Sequence, residues 1–285
     1  MNAISIHGLT KRFGDTYALD HVDLQFEHGK IYGLLGRNGA GKSTLLKIIS
    51  NRIFADEGMV AVNGKSAVEC DEIQKRIYLM SEKNLYPGSL KIRKVFKWTK
   101  EFNEGFDIEE ANHLAELFGL PLHKKVSSLS TGYQSIFKLI IALCADVDYV
   151  LLDEPVLGLD ANHREMFYKI LIQSYMEKPR TIIIATHLIE EIANLIEDIT
   201  IIDDGKVLLH ETVEALMQKG YSVSGKTSDV DAYCTDKRVI GEDVLGTLKT
   251  AYILGQKDQD NDLVEISPMN LQKLFVELTK KEKEL

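Results

Sequence analysis

The period of apolar and polar positions changes along the chain, and these changes divide it into regions. Alternation in "ISIHGL" and "HVDLQFE" predicts antiparallel strands near the start, whereas the apolar runs in "KIYGLL", "YVLLDEP" and "RTIIIATH" predict buried strands. Helical spacing appears in "STLLKIISNR" and then dominates residues 86–145, in "LKIRKVFKWTKEF", "IEEANHLAELFGL" and "TGYQSIFKLIIALC". The pattern indicates an α/β core with an inserted helical subdomain.

The last part of the chain has a different pattern of apolar and polar positions. "ITIIDDGKVLLH" predicts a hairpin, because the Asp204-Gly205 pair favours a tight primed turn. From residue 216 to residue 285 the pattern predicts a small α+β extension of short strands and one amphipathic helix. That helix is expected to begin with Ser267 as N-cap and Pro268 in the first helical position. A regulatory or dimer-stabilising subdomain and a purely structural appendage fit this extension equally well.

Composition narrows the functional classes. The 34 basic and 43 acidic residues give a net charge of −9, which disfavours nucleic acid as a partner. Three scattered cysteines without a CxxC pair indicate a reduced, cytosolic protein. The longest apolar run, Leu139–Ala145, is far shorter than the roughly 20 residues of a membrane-spanning helix. A role in a membrane would therefore require another subunit.

The segment "GRNGAGKS" fits the phosphate-binding pattern G-x-x-x-x-G-K-[ST], with a predicted strand before it and a helix after it. Its glycines let backbone N–H groups turn towards phosphate oxygens, and the helix adds its positive N-terminal end. A glycine-rich connecting turn is the simpler alternative, but it does not account for the lysine and serine. The predicted nucleotide-binding residues here are Gly36, Arg37, Asn38, Gly39, Ala40, Gly41, Lys42, Ser43 and Thr44.

Two carboxylates end the apolar run "YVLLDEP". Asp153 is expected to ligate Mg²⁺ together with the Ser43 hydroxyl, and Glu154 is expected to polarise the attacking water. Solvated acids at a strand end are the alternative. A phosphate-binding segment in the same chain favours the catalytic interpretation.

In this order the motifs resemble the ATP-binding subunits of ABC transporters, over roughly residues 4–211. The resemblance implies that Phe13 stacks on adenine, a role for which Tyr17 could compete. It also makes His187, at the end of "IIIATH", the γ-phosphate sensor, and it places Asp160 of "GLDA" in the D-loop at the nucleotide. "LSTGY" occupies the signature position, which would cover ATP bound to a second cassette.

Three positions depart from the family pattern. In the signature, Thr131 and Tyr133 replace a glycine and a glutamine, but Ser130 and Gly132 remain as phosphate contacts, before a helix expected to begin near Tyr133. Glu82 stands where the family has a glutamine, and it is expected to act in catalysis and to approach Mg²⁺. Leu157 replaces a small polar residue before the D-loop glycine.

The resemblance implies a fold and a function. The expected fold is a P-loop NTPase core with an antiparallel β subdomain and a helical subdomain at about residues 86–145, together forming a cassette over residues 1–215, followed by the α+β extension. The expected protein uses ATP and Mg²⁺, dimerises with itself or with a sister subunit, and lies on the cytoplasmic face of the membrane against a permease. The LSTGY form resembles exporters of antimicrobial or toxic peptides, which favours export.

Two other functions remain open at this stage. The first is a non-transport ABC ATPase of translation or DNA maintenance, although the chain has one cassette, no sustained heptads and an acidic balance. The second is a nucleotide-dependent regulator that hardly hydrolyses ATP, which the departures at Glu82, Thr131 and Leu157 would support.

Overall fold

The structure, a computed structural model, describes residues 3–257 and 263–280. The strands are β1 (Ala3–Phe13), β2 (Thr16–Glu27), β3 (Ile31–Leu35), β4 (Glu57–Val62), β5 (Lys65–Ser66), β6 (Ile77–Met80), β7 (Tyr149–Asp153), β8 (Thr181–Thr186), β9 (Asp198–Asp203), β10 (Lys206–Thr212), β11 (Gly220–Lys226), β12 (Val239–Leu245), β13 (Leu248–Leu254) and β14 (Val264–Pro268). The helices are α1 (Lys42–Ile49), α2 (Asp71–Gln74), α3 (Ile92–Phe102), α4 (Ile108–Leu117), α5 (Thr131–Cys144), α6 (Ala161–Glu177), α7 (Ile189–Ile192), α8 (Val213–Lys219), α9 (Thr227–Cys234) and α10 (Leu271–Leu278). Within the two described ranges, no helix is long and apolar enough to cross a membrane.

A mainly parallel sheet forms the centre, with the strand order β10-β9-β3-β8-β7-β6. Only β10 runs antiparallel to its neighbour. Every residue of β3, β7 and β8 is buried, which is why their sequences are nearly continuous apolar runs rather than alternating ones. Because neighbouring parallel strands end at the same edge, residues that follow β3, β6, β7 and β8 come together there.

A second, antiparallel sheet has the order β2-β1-β4-β5, as the alternation near the chain start predicts. Its apolar face and helix α1 share one hydrophobic core with the central sheet. The third sheet, β12-β13-β11-β14, belongs to the end of the chain. The described residues thus confirm the expected fold class, an α/β P-loop core with an antiparallel β subdomain, inserted helices and an α+β extension.

Helices α3, α4 and α5 form the inserted subdomain between β6 and β7. Helix α4 begins at Asp107, whose carboxylate accepts hydrogen bonds from the backbone N–H groups of Glu109 and Glu110 at 3.1 and 2.9 Å. The rings of Phe96 and Phe137 stack between α3 and α5 at 6.1 Å. Helix α5 is buried from residue 135 to its end, so it is the central helix of this subdomain.

The turn between β9 and β10 confirms the expected primed hairpin, since both Asp204 and Gly205 have positive φ, 43° and 78°. In the extension, α9 packs on the third sheet. Helix α10 instead joins the main core through Leu271, Leu274 and Phe275, and it contacts α7. The described part of the extension is therefore packed against the central domain.

One expected helix start is wrong. Ser267 and Pro268 lie in β14, and α10 begins at Leu271 with Asn270 as N-cap, whose side-chain oxygen accepts from the Lys273 N–H at 2.7 Å. Proline is tolerated in β14 because this strand lies at the edge of its sheet. Helix α5 begins at Thr131, near the expected start at Tyr133. The amphipathic pattern predicts a last helix through Leu285, but α10 ends at Leu278, where Thr279 is the C-cap. Residues 281–285 lie outside the described residues.

Candidate functional site

Residues from four neighbouring strands meet at the carboxyl edge of the central sheet. The loop after β3 carries the phosphate-binding motif, Glu82 follows β6, Glu154 follows β7, and His187 follows β8. These groups line one cavity of about 360 Å³. Residues separated by as many as 150 positions along the chain are brought together because the strands that carry them are adjacent in the sheet.

The phosphate loop is shaped by glycine. Gly41 has a φ of 112°, and a Cβ atom there would lie 2.3 Å from the Ala18 carbonyl oxygen of β2. Only glycine fits this position, where the loop turns into α1. The ammonium group of Lys42 is buried and donates to the carbonyl oxygens of Gly36 and Arg37 at 2.6 and 3.2 Å. Burial lowers the pKa of Lys42, and the charge of Glu154, 3.9 Å away, opposes that shift.

Ser43 and Asp153 form a direct contact. The Ser43 hydroxyl donates to Asp153 Oδ1 at 2.8 Å, and the Asp153 side chain is almost entirely buried, with 3% of the residue exposed. Burial raises the pKa of Asp153, while the hydrogen bond from Ser43 lowers it. Hydroxyl and carboxylate oxygens are the ligands that Mg²⁺ uses in proteins, so the pair predicted for the metal is suited to hold it.

Glu154 is held on both carboxylate oxygens. Thr186 donates its hydroxyl hydrogen to Oε2 at 3.1 Å, and Nδ1 of His187 lies 3.0 Å from Oε1. An ionised carboxylate only accepts, so Nδ1 carries the hydrogen of that contact. The backbone of Glu154 has a positive φ of 48°, a conformation that is uncommon for residues other than glycine. Sequence analysis missed Thr186, although it directly precedes His187.

Lys138 is a second residue that sequence analysis missed. It lies in the middle of α5, only 7% exposed, and its ammonium group donates to the carbonyl oxygens of Ser81 and Glu82 at 2.9 and 2.6 Å. Burial lowers its pKa, and the negative charges of Glu82 and Asp153 oppose the shift. Lys138 thus ties the helix that begins within the LSTGY segment to the backbone of the Glu82 loop. A lysine within the apolar run "SIFKLIIALC" was the available signal.

Phe13 lies outside the cavity, at the end of β1, and is 56% exposed. The hairpin that carries it touches the phosphate loop, because Ala18 of β2 lies against Gly41. The ring of its competitor Tyr17 is covered by the Arg12 guanidinium, 4.2 Å from the ring centroid. The Lys11 ammonium also lies over the Phe13 ring, but farther away, 5.6 Å from its centroid. The greater exposure of Phe13, 56% against 40% for Tyr17, favours Phe13 for stacking.

The signature residues are not part of the phosphate site of the same chain. Ser130, Gly132 and Asp160 line a separate cavity of about 470 Å³. Ser130 is the N-cap of α5 and accepts from the Tyr133 N–H at 3.4 Å. The carboxylate of Asp160 caps α6, accepting from the His163 N–H at 2.9 Å. Leu157 bridges the two regions, since it lines the phosphate cavity while its carbonyl accepts from the hydroxyl of Ser135 at 2.7 Å.

The fold and the phosphate loop define a P-loop nucleotide-binding protein. The family model described as ABC transporter matches residues 19–157. The ABC transporter ATP-binding protein YtrB of Bacillus subtilis is 26% identical over 282 residues, covering 96% of this chain and 97% of that protein. An uncharacterized ABC transporter ATP-binding protein of Methanocaldococcus jannaschii is 33% identical over 222 residues, covering 76% of this chain and 80% of that protein.

A solved dimeric structure of an ATP-binding cassette, in a post-hydrolysis state bound to ADP and Pi, matches with a TM-score of 0.65 and 25% identity. The match covers 74% of this chain and 98% of that one. Together these findings show that the chain belongs to the ATP-binding subunits of ABC transporters, a family of ATP-hydrolysing proteins. The chain is also similar to a daunorubicin resistance ATP-binding protein of Streptomyces coeruleorubidus, which is 30% identical, covering 75% of this chain and 69% of that protein. A methionine import ATP-binding protein of Clostridium tetani is 29% identical, covering 75% of this chain and 70% of that protein.

Proposed function

We propose that this chain hydrolyses ATP and dimerises on ATP binding to drive a separate membrane permease. One observation carries the proposal: Lys42, the Ser43–Asp153 pair and the Glu154–His187 pair meet at one edge of the sheet. A regulator without hydrolysis would not need a carboxylate fixed on both oxygens beside the phosphate loop.

In the proposed complex, the phosphate chain lies over the loop before α1. The backbone N–H groups of the loop and the N-terminus of α1 face its oxygens. Lys42 exchanges the carbonyls that it now binds for the β- and γ-phosphates, and Thr44, which lines the same cavity, contacts the α-phosphate. Phe13 stacks on the adenine.

Mg²⁺ would be held by the oxygens of Ser43 and Asp153, with Glu82 lining the same cavity. When bound, the ion neutralises negative charge on the phosphates. Ser43 would then offer its hydroxyl oxygen to the metal. The Lys138 ammonium binds the Glu82 carbonyl and is attracted to the Glu82 carboxylate, so it offsets part of the negative charge that a glutamate adds there.

Glu154 is the proposed general base. It accepts a proton from water as the water oxygen bonds to the γ-phosphorus and the bond to the bridging oxygen of ADP breaks. Thr186 and His187 fix the orientation of its carboxylate. His187 can also donate from Nε2 to the γ-phosphate, but only when the imidazole carries both protons or has left Glu154.

Dimerisation is proposed because the signature cavity is separate from the phosphate cavity in one chain. In a head-to-tail dimer, Ser130 and the N-terminus of α5 would face the γ-phosphate on the partner subunit. The similar cassette that is dimeric with ADP and Pi supports this arrangement. The partner is a second copy or a sister subunit.

The permease is expected to dock near an apolar groove of about 350 Å³ between the Glu82 loop and α3, lined by Tyr86, Leu90, Trp98 and Phe102. Docking there would place the chain at the cytoplasmic face of the membrane. We propose export, on the likeness of LSTGY to peptide-exporter signatures. ATP-dependent uptake into inside-out vesicles that contain the permease would test this direction, and uptake into right-side-out vesicles would refute it.

The central test compares the parent with Glu154→Gln for ATP-dependent dimerisation and phosphate release. The variant is expected to dimerise with ATP and to lose at least about a hundredfold in turnover, the range that a general base contributes. Glu190→Gln is the matched control, since Glu190 is exposed and lies in α7, shortly after the neighbouring strand β8. If Glu154→Gln turned over ATP as fast as the parent, the catalytic assignment would be wrong.

A further inference from the structure

Helix α3 and the segment beside it carry a concentrated positive charge. Between Lys83 and Lys100 the chain has six basic and no acidic residues, although its net charge is −9. The backbone around residues 122–125 pairs with the start of α3, through hydrogen bonds such as Ile92 N–H to the Lys124 carbonyl at 3.1 Å. This pairing forms what we call the basic face, whose exposed members are Lys91, Arg93, Lys94, Lys97, Lys124 and Lys125.

Among the described residues, no carboxylate is paired with the basic face. In the part of the chain that the structure describes, none of its six cations takes part in an ion pair. Arg93 and Lys94 lie in the first turn of α3, which has no acidic residue, although the helix dipole favours acids there. Arg93 and Lys97 are also like charges four residues apart. A concentration of like charge that no described carboxylate neutralises indicates an external anionic partner.

Aromatic side chains accompany this charge. Trp98 is 36% exposed, with the Lys94 ammonium 5.1 Å from its ring centroid, and Phe102 is 88% exposed one turn later. Tryptophan next to lysine is typical of protein surfaces at the membrane–water interface. Both aromatic residues also line the apolar groove, so the basic face continues the surface at which a permease is expected.

We propose that the basic face binds the anionic lipid surface of the cytoplasmic leaflet. That leaflet carries negative charge in many orientations, which suits lysines spread over a helix and a loop. Cytoplasmic loops of membrane proteins are enriched in Lys and Arg, so a permease loop would be repelled by this face more often than attracted. The inference depends on the proposed function only in placing the chain beside a membrane.

The test is co-sedimentation of the purified chain with vesicles of phosphatidylcholine alone or of phosphatidylcholine with phosphatidylglycerol. We expect binding only to the anionic vesicles, weakening as salt rises. Because each lysine near an anionic surface contributes about 1 kcal/mol, or roughly fivefold, Lys94→Glu with Lys97→Glu should weaken binding by about 25-fold or more. Lys65→Glu with Lys75→Glu changes the net charge equally on other exposed lysines and should cost much less.

Three results would overturn the proposal: no binding to the anionic vesicles at low salt, equal binding to both kinds of vesicle, or equal weakening by both variant pairs. If the first pair left vesicle binding intact but prevented assembly with the permease in detergent, the partner would be an acidic protein segment. The melting temperature of each variant verifies folding. None of these outcomes depends on ATP turnover, so failure here is distinguishable from failure of the proposed ATPase.

Discussion

Lys138 is a buried charge whose removal should be measurable in stability. Lys138→Met keeps the length and the apolar stem of the side chain but leaves the carbonyls of Ser81 and Glu82 without their donor. Each hydrogen bond from a charged donor contributes about 1.5–3 kcal/mol. Burial of the ammonium, which lowers its pKa, opposes this gain. The net loss expected from the two bonds is about 2–3 kcal/mol in the free energy of unfolding.

The assay is urea unfolding together with thermal melting. A loss of about 2–3 kcal/mol corresponds to a fall of roughly 4–12 °C in Tm for a domain of this size. Lys169→Met is the matched control, because Lys169 is an exposed lysine in a surface pair with Glu165 and should cost about 0–1 kcal/mol. Equal costs for the two variants would refute the reasoning.

A double-mutant cycle isolates the electrostatic part. In a Glu82→Gln background, Lys138→Met should cost about 0.5–1 kcal/mol less, because the attraction between the lysine and the glutamate charge is already lost. Additive costs would mean that Lys138 acts only through the backbone carbonyls. The negative charge of Glu82 would then not be compensated by Lys138.

Three further predictions follow from individual contacts. Gly41→Ala should abolish tight ATP binding in a calorimetric titration, because its Cβ meets the Ala18 carbonyl. Leu274→Ala should lower the free energy of unfolding of the whole chain by about 2–5 kcal/mol in urea, since Leu274 is fully buried in the main core. Burial raises the pKa of Cys144 to about 12, so iodoacetamide at mildly alkaline pH should modify Cys144 far more slowly in the native than in the unfolded protein.

The first two have matched controls. Gly64→Ala, at a φ of 77° with open space around the position, separates backbone strain from the clash at Gly41. Val276→Ala, on the exposed side of α10, should have little effect, and an unchanged main transition in Leu274→Ala would mean that the extension unfolds independently. Because the raised pKa of Cys144 favours the neutral thiol in the folded state, its contribution to stability should be complete below about pH 9 and decrease up to about pH 12.

Sequence alone determined the elements whose signal is local. Fully buried parallel strands are continuous apolar runs, and the phosphate loop requires glycines and a lysine at fixed spacing. The turn at Asp204-Gly205 depends only on the positive φ angles that these two residues tolerate. The same local reasoning misplaced the last helix. Ser267 and Pro268 suit a helix start as well as an edge strand, and pairing with β11 decided between them.

The tertiary structure alone decided which residues meet. Ser43 and Asp153 are 110 residues apart, and Lys138 and Ser81 are 57 apart. Their contacts arise from strand order and from the packing of α5, which no periodicity encodes. The separation of Ser130 from the phosphate cavity of its own chain has the same origin. Sequence determined which chemical groups are available, because the groups follow from residue type and local conformation. The distances between those groups follow from long-range packing, which only the tertiary structure shows.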